Sequence, residues 1–298
     1  MNASKTLMTI GAIAAAFLLV GLPALSPPEA DVINQRGSDT MLILAQRWAE
    51  VYSELHPDVR IAVSGGGSGT GIAALINGQV DLADSSRPIK TQEMHQASEG
   101  GANPIEWKAA LDGLTAVVHP SNPVDSLSLE QLKGIYAGVI TDWSDVGGTP
   151  GVIVAYGRQS NSGTYVFWKE SVLGDEDYRN DMLHLNGNAD IVEAVSQDPK
   201  GIAYVGMAYV AQRQGDIKVL GVKTDESSDP VFPTAEATLT GTYPISRFLY
   251  IYTDGIPQGA VRDYLRWILG NDGQEVVEEQ GYIPIPSSLM EEQLGQLI

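Results

Sequence analysis

Arg158-Gln159-Ser160-Asn161-Ser162-Gly163-Thr164 places a guanidinium, hydroxyls and a glycine close enough together to hold an oxyanion. Arginine offers a planar fork of N–H donors that matches two oxygens of an anion, and Ser162 and Thr164 add O–H donors. Gly163 lets backbone N–H groups approach closely. Such donors must be positioned. Val152-Ile153-Val154-Ala155-Tyr156 before them reads as a strand, and Tyr165-Val166-Phe167-Trp168 after them fits a helix start, whose first N–H groups have no partner within the helix. The same residues also suit an Asn-Ser-Gly turn that merely caps a helix beside a surface arginine.

Two further loops have the same build. Gly37-Ser38-Asp39-Thr40 follows Val32-Ile33 and precedes apolar residues at Leu42, Ala45, Trp48, Ala49, Tyr52 and Leu55, a helical spacing. Ser64-Gly65-Gly66-Gly67-Ser68-Gly69-Thr70-Gly71 is entered from the alternating strand Val59, Ile61, Val63 and left through Ile72, Leu75 and Ile76. Each has a Ser or Thr where a helix N-cap belongs, so ordinary capping accounts for any one of them alone. Three such starts together with one arginine favour an anion cradle.

Catalytic patterns fit less well. Gly66-Gly67-Ser68-Gly69-Thr70 lacks the second glycine of a nucleophile elbow, and no phosphate-binding P-loop or G-x-G-x-x-G spacing occurs. His56, His95, His119 and His184 never pair at i, i+4, so no metal is expected. The chain has no Cys, which excludes disulfides, thiol catalysis, cysteine-ligated metals and a lipidated-cysteine anchor.

The 298 residues, 43% hydrophobic, suffice for one large core or two domain-sized ones, and alternating strand and helix signals indicate an α/β protein. With 37 acidic and 18 basic residues the formal charge is −19, which argues against nucleic acid or an anionic membrane surface as partner. An anion would therefore be held by local donors, which salt screens little at bonding distance. From Thr6 to Pro28 there is no charged residue, and Lys5 precedes the apolar run Leu7 to Leu25. This reads as an export signal. It is also long enough to span a bilayer, so an uncleaved anchor through residues 6–28 is the alternative. Residues 25–30 read as a linker to the folded part, which lies outside the cytoplasm in either case.

Beyond the three loops, Val80-Asp81-Leu82-Ala83-Asp84-Ser85-Ser86-Arg87-Pro88, Leu111-Asp112-Gly113-Leu114-Thr115-Ala116-Val117-Val118 and Leu129-Glu130-Gln131-Leu132-Lys133-Gly134-Ile135-Tyr136 carry a family pattern. So do Ile140-Thr141-Asp142-Trp143, Gly201-Ile202-Ala203-Tyr204-Val205-Gly206 and Tyr243-Pro244-Ile245-Ser246-Arg247. From residue 31 onward the chain resembles the substrate-binding proteins of ABC phosphate transporters. The resemblance implies a type II, two-lobed periplasmic-binding-protein-like fold that closes on one inorganic phosphate and delivers it to the transmembrane subunits of an ABC permease, without a cofactor or catalysis. Lobe I is expected from residues 31–117 and 243–298, and lobe II from 118–242.

The resemblance also implies the phosphate contacts: Ser38, Asp39 and Thr40; Ser68, Gly69 and Thr70; Ser86 and Arg87; and Arg158, Ser162, Gly163 and Thr164. In the family a carboxylate at the position matching Ser86 accepts the proton that phosphate carries and sulfate lacks. This chain departs from that pattern. Asp39 is the first candidate for the missing acceptor and Asp84 the second, although Asp39 also suits a helix cap and Asp84 an ion pair with Arg87 or Arg158. Sulfate and molybdate receptors, and a phosphatase-like hydrolase using a cradle serine, are the competing readings.

Overall fold

A computed structural model of the chain describes residues 31–213 and 215–297; the export-signal or anchor reading of residues 1–30 lies outside them. The strands are β1 (Asp31–Gly37), β2 (Val59–Ser64), β3 (Leu82–Ser85), β4 (Pro104–Val118), β5 (Ser126–Ser128) and β6 (Val154–Arg158), followed by β7 (Leu183–Leu185), β8 (Gly201–Gly206), β9 (Lys218–Val219), β10 (Gly221–Lys223) and β11 (Ser246–Asp254). The helices are α1 (Leu42–Leu55), α2 (Ser68–Ile76), α3 (Thr91–Gly100), α4 (Leu129–Ala137), α5 (Gly163–Ser171) and α6 (Asn188–Gln197), then α7 (Met207–Ala211), α8 (Ala235–Leu239), α9 (Gly259–Leu269), α10 (Asn271–Glu279) and α11 (Ser287–Gln296).

Local sequence accounts for most of these. In β1, Ile33 and Gln35 alternate inward while Val32 and Asn34 face out. In α1, Leu44, Ala45, Trp48, Ala49 and Tyr52 form one buried stripe. Helices α9 and α10 pack into the core that contains Ile33 and Trp48. Helix α11 was not anticipated. Its Gln293 is buried and bonds the β4 backbone at Lys108 from both ends of its amide, at 2.7 and 3.0 Å.

A continuous sheet runs β2-β1-β3-β11-β4-β8-β6-β7, with β9 added to β4. β1 lies parallel to β2 and β3, and β11 antiparallel to β3 and β4, so the returning strand completes the first sheet region. One core gathers residues from Ile33 to Leu111 with Ala208 and those from Leu249 to Leu297. A second gathers residues from Leu114 to Ile245, including Trp143, Trp168 and Tyr204.

β4 and β11 pass from one core to the other. Pro120 and Pro123 suit the lobe boundary expected at residues 117–118, but Leu114, Ala116 and Val118 already pack with the second core. Tyr243 and Ile245 do so as well. A third passage joins Gly206, the end of β8, to Met207 and Ala208, which pack against the first core. Prolines mark where strands stop. They cannot mark where an unbroken strand changes neighbours. Among the described residues no helix is long and apolar enough to cross a membrane.

Candidate functional site

Four loops meet between the two cores: those before α1, before α2, after β3 and before α5. Only the last uses its serine as a cap. Ser162 Oγ accepts from the backbone N–H groups of Thr164 and Tyr165 at 3.2 and 3.4 Å, leaving its own O–H to donate elsewhere. Helix α1 starts from Met41 and α2 from Gly67, with no side-chain capping bond at either. The hydroxyls of Thr40 and Ser68 are thus free for other partners, and Asp39 does not cap α1.

Those hydroxyls find one another. Thr40 Oγ1 and Thr164 Oγ1 are 2.7 Å apart, Ser68 Oγ and Ser86 Oγ 3.3 Å, and Ser86 Oγ and Thr164 Oγ1 3.5 Å. All four residues are buried. Gly163 is what lets the loops meet, because a Cβ there would stand 2.3 Å from Ser68 Oγ and 2.6 Å from Ser86 Oγ. Across the same contact Gly69 N donates to the Asn161 carbonyl at 3.0 Å, and Asn161 Nδ2 donates to the Gly66 carbonyl at 2.9 Å. Gly67 has a φ of 89°, and a Cβ there would also press on the Asn161 carbonyl at 2.7 Å.

Arg158 is 1% exposed. Its Nη2 donates to Asp39 Oδ2 at 2.5 Å and to the Asn186 carbonyl at 2.6 Å, while Nε and Nη1 are buried without a partner. A buried donor left unmade costs about 1–3 kcal/mol, more on a charged group, so these two N–H edges are where an anion gains most. The other oxygen of Asp39, Oδ1, accepts from Gly66 N at 2.9 Å. His184 Nδ1 meets the Arg158 carbonyl at 3.0 Å rather than a cradle hydroxyl.

Not every expected residue presents a free group. Arg87 is buried, and its Nη1 and Nη2 donate to both oxygens of Glu93 at 2.8 and 2.6 Å, while Nη1 also reaches the Pro88 carbonyl at 2.9 Å, so only its Nε is left without a partner. Thr70 Oγ1 donates to the Gly66 carbonyl at 2.7 Å and so serves its own loop. Ser38 is buried, with its N–H on the Asp84 carbonyl at 2.9 Å. Asp84 meets neither Arg87 nor Arg158. Its Oδ1 accepts from Gln35 Nε2 at 2.8 Å, and Tyr264 bonds the far side of that glutamine at 3.2 Å. Burial pushes the Asp84 carboxyl up to about 7, against a smaller lowering by the Gln35 bond.

Sequence reasoning missed Arg247, Asp112 and Asn188 as parts of this region, and gave Asn161 no role of its own. Arg247 Nη2 donates to Thr164 Oγ1 at 3.1 Å, and Asn188 Nδ2 approaches Thr40 Oγ1 at 3.4 Å while its buried Oδ1 has no partner. Arg247 and Asp112 lie in stretches that the resemblance singled out. Their meeting depends on strand register, which those stretches do not reveal. The three buried arginines Arg87, Arg158 and Arg247 each pair with a carboxylate. An anion held here would therefore meet oriented O–H and N–H dipoles more than uncompensated charge.

Residues 23–272 match the family model described as a PBP superfamily domain. The phosphate-binding protein PstS of Pseudomonas aeruginosa is 32% identical over 282 residues, covering 89% of this chain and 86% of that protein. The Staphylococcus aureus phosphate-binding protein PstS is also 32% identical, over 88% of this chain and 80% of its own length. A crystal structure from Clostridium perfringens, described as a putative phosphate ABC transporter substrate-binding protein with bound phosphate, superposes with a TM-score of 0.78 at 26% identity, over 86% of this chain and all 100% of that one. An ABC-type phosphate transport receptor from Vibrio cholerae gives 0.68 at 29% identity, over 85% of this chain and 100% of its own.

Proposed function

The chain belongs to the PBP superfamily, and from that premise we propose that it is an extracytoplasmic receptor that captures inorganic phosphate and delivers it to an ABC permease. The observation that carries this reading is Arg158, buried with Nε and Nη1 unpartnered, in the loop whose Thr164 joins the hydroxyl cluster. Phosphate near neutral pH is a mixture of mono- and dianion, so a selective site offers many donors and at least one acceptor. Arg158, Thr40, Ser68, Ser86, Ser162 and Thr164 supply the donors in this proposal, together with backbone N–H groups of the loops around Gly69 and Gly163. Asp39 is the acceptor. Each of its oxygens retains a lone pair beyond the bond it already takes, and its charge repels an anion that has no proton to give. Arg87 acts from behind, holding the turn that carries Ser86.

Lobe I comprises the elements of the first core and lobe II those of the second, with passages through β4, the Gly206–Met207 junction and β11. The anion binds between them. In this reading binding involves no chemistry on the ligand. Calorimetry of the purified protein with phosphate, arsenate, sulfate and molybdate tests the reading. Phosphate and arsenate should bind and the other two should not, and the radius of gyration in solution should fall on saturation with phosphate. Equal binding of sulfate would replace the receptor proposed here by one for tetrahedral oxyanions in general.

A further inference from the structure

Arg247 and Asp112 face each other as register partners on β11 and β4, where both strands pass between the two cores. Their side chains are 2% and 0% exposed. Arg247 Nε and Nη2 both donate to Asp112 Oδ2, at 3.1 and 2.8 Å. The other carboxylate oxygen, Oδ1, accepts from the backbone N–H of Met207 at 3.1 Å, at the third passage. The remaining arginine contacts reach the cradle from both sides: Nη1 donates to the Ser86 carbonyl at 3.0 Å and Nη2 to Thr164 Oγ1 at 3.1 Å. The guanidinium also lies over the Phe167 ring at 5.3 Å, one turn along α5 from Thr164.

A buried ion pair is a poor source of net stability, because desolvation offsets most of the attraction. This one differs from a simple strut in where its bonds end: on three chain passages and two cradle loops. The contact with Thr164 also fixes a direction. A guanidinium has donors only, so Thr164 Oγ1 must accept from it, and the threonine's own proton must then point elsewhere. The nearest other oxygen is Thr40 Oγ1, across the cradle.

Resting on the phosphate-receptor reading, we infer that Arg247, held by Asp112, is a positioning residue for the anion: it commits the Thr164 hydroxyl to donating into the cradle and ties the cradle loops to the passages about which the lobes would close. It acts on phosphate through Thr164.

Phosphate calorimetry on Arg247→Met, Thr164→Val and the combined variant tests this. Arg247→Met should weaken binding by roughly ten- to a hundredfold, the range of one lost charge-assisted bond. In the Thr164→Val background the same change should cost no more than about threefold, because the hydroxyl it orients is already gone. A merely structural role would give the same loss in both backgrounds, and that result overturns the inference. So does unchanged affinity in Arg247→Met. Should the single variant fail to fold because Asp112 is left unpaired, Asp112→Leu/Arg247→Met removes both charges and leaves an apolar pair. That variant must show the same loss and the same dependence on Thr164, and wild-type affinity in it is equally fatal. Absence of phosphate binding by the wild-type protein would sink the receptor reading itself, a separate outcome.

Discussion

The loops that carry Arg87 and Arg158 look alike in sequence, each a buried arginine beside serines at the end of a strand, yet they are wired differently. Arg87 gives both terminal nitrogens to Glu93, six residues on, in a closed bidentate pair. Arg158 gives one terminal nitrogen to Asp39, 119 residues away across the cleft, and keeps Nε and Nη1 unpartnered. In the reading proposed above, what separates a structural arginine from a binding one is the neighbouring carboxylate. A local acid that takes both terminal nitrogens leaves only Nε over, whereas a distant acid that takes one corner holds the side chain in place and leaves the edge of Nε and Nη1 free.

The sharpest test of that contrast is Arg158→Ala. It should weaken phosphate binding by about 2–3 kcal/mol, roughly a hundredfold, and Arg158→Lys should also bind less well because an ammonium cannot reproduce the planar fork. Wild-type affinity in either variant, measured by calorimetry, would show that the free edge is not where the anion sits.

Asp39→Asn should come next, at about tenfold, since the amide cannot serve Gly66 N and the arginine equally. Sulfate should gain relative to phosphate in a parallel titration, because the charge that repels a fully ionised anion is gone. A constant ratio would leave Asp39 as an anchor for Arg158 with no part in selectivity.

Arg87→Ala should change affinity by no more than about threefold while lowering stability by about 1–3 kcal/mol through the loss of its pair with Glu93. A hundredfold loss of affinity in a well-folded Arg87→Ala protein would erase the distinction between the two loops.

Asp84→Asn should have no effect on affinity, because Asp84 is bonded to Gln35 away from both arginines. Its effect should appear in stability. Its carboxyl is raised from 3.8 to about 7 by burial, so between those values the folded chain holds a proton that the unfolded chain has released. Stability contributed by this group is therefore greatest at low pH, falls as pH rises through that window and is flat above it. Asp84→Asn removes the penalty. Urea unfolding should find the variant more stable than wild type at about pH 8, by up to about 4 kcal/mol, and nearly equal to it at about pH 4. A wild-type advantage at the higher pH would mean that the buried carboxylate is paired in a way its bond to Gln35 does not provide.

The loops that hold the candidate site were legible because their chemistry is local. Gly67 and Gly163 stand where a Cβ would strike a neighbouring loop, and Ser162 caps its helix as a serine in that place should. The family motifs then gave the fold and the class of ligand, and pointed to Arg158 as a candidate contact. Capping failed as an account of Thr40 and Ser68 because a hydroxyl beside a helix start either turns back to its own backbone or meets the opposite loop, and residue type does not decide between them.

Residue types and spacing alone thus determined the strand-loop-helix units, the glycines that permit close approach, the apolar face of α1, and the reliance of an acidic chain on local donors. Only the tertiary structure decided which carboxylate each arginine meets, that Asp84 faces Gln35, and that Arg247 and Asp112 share a register between the cores. The physical reason is range. Periodicity, turn chemistry and capping act within a few residues, whereas a hydrogen bond across a cleft depends on the register and packing of segments separated by more than a hundred residues, which no local propensity encodes.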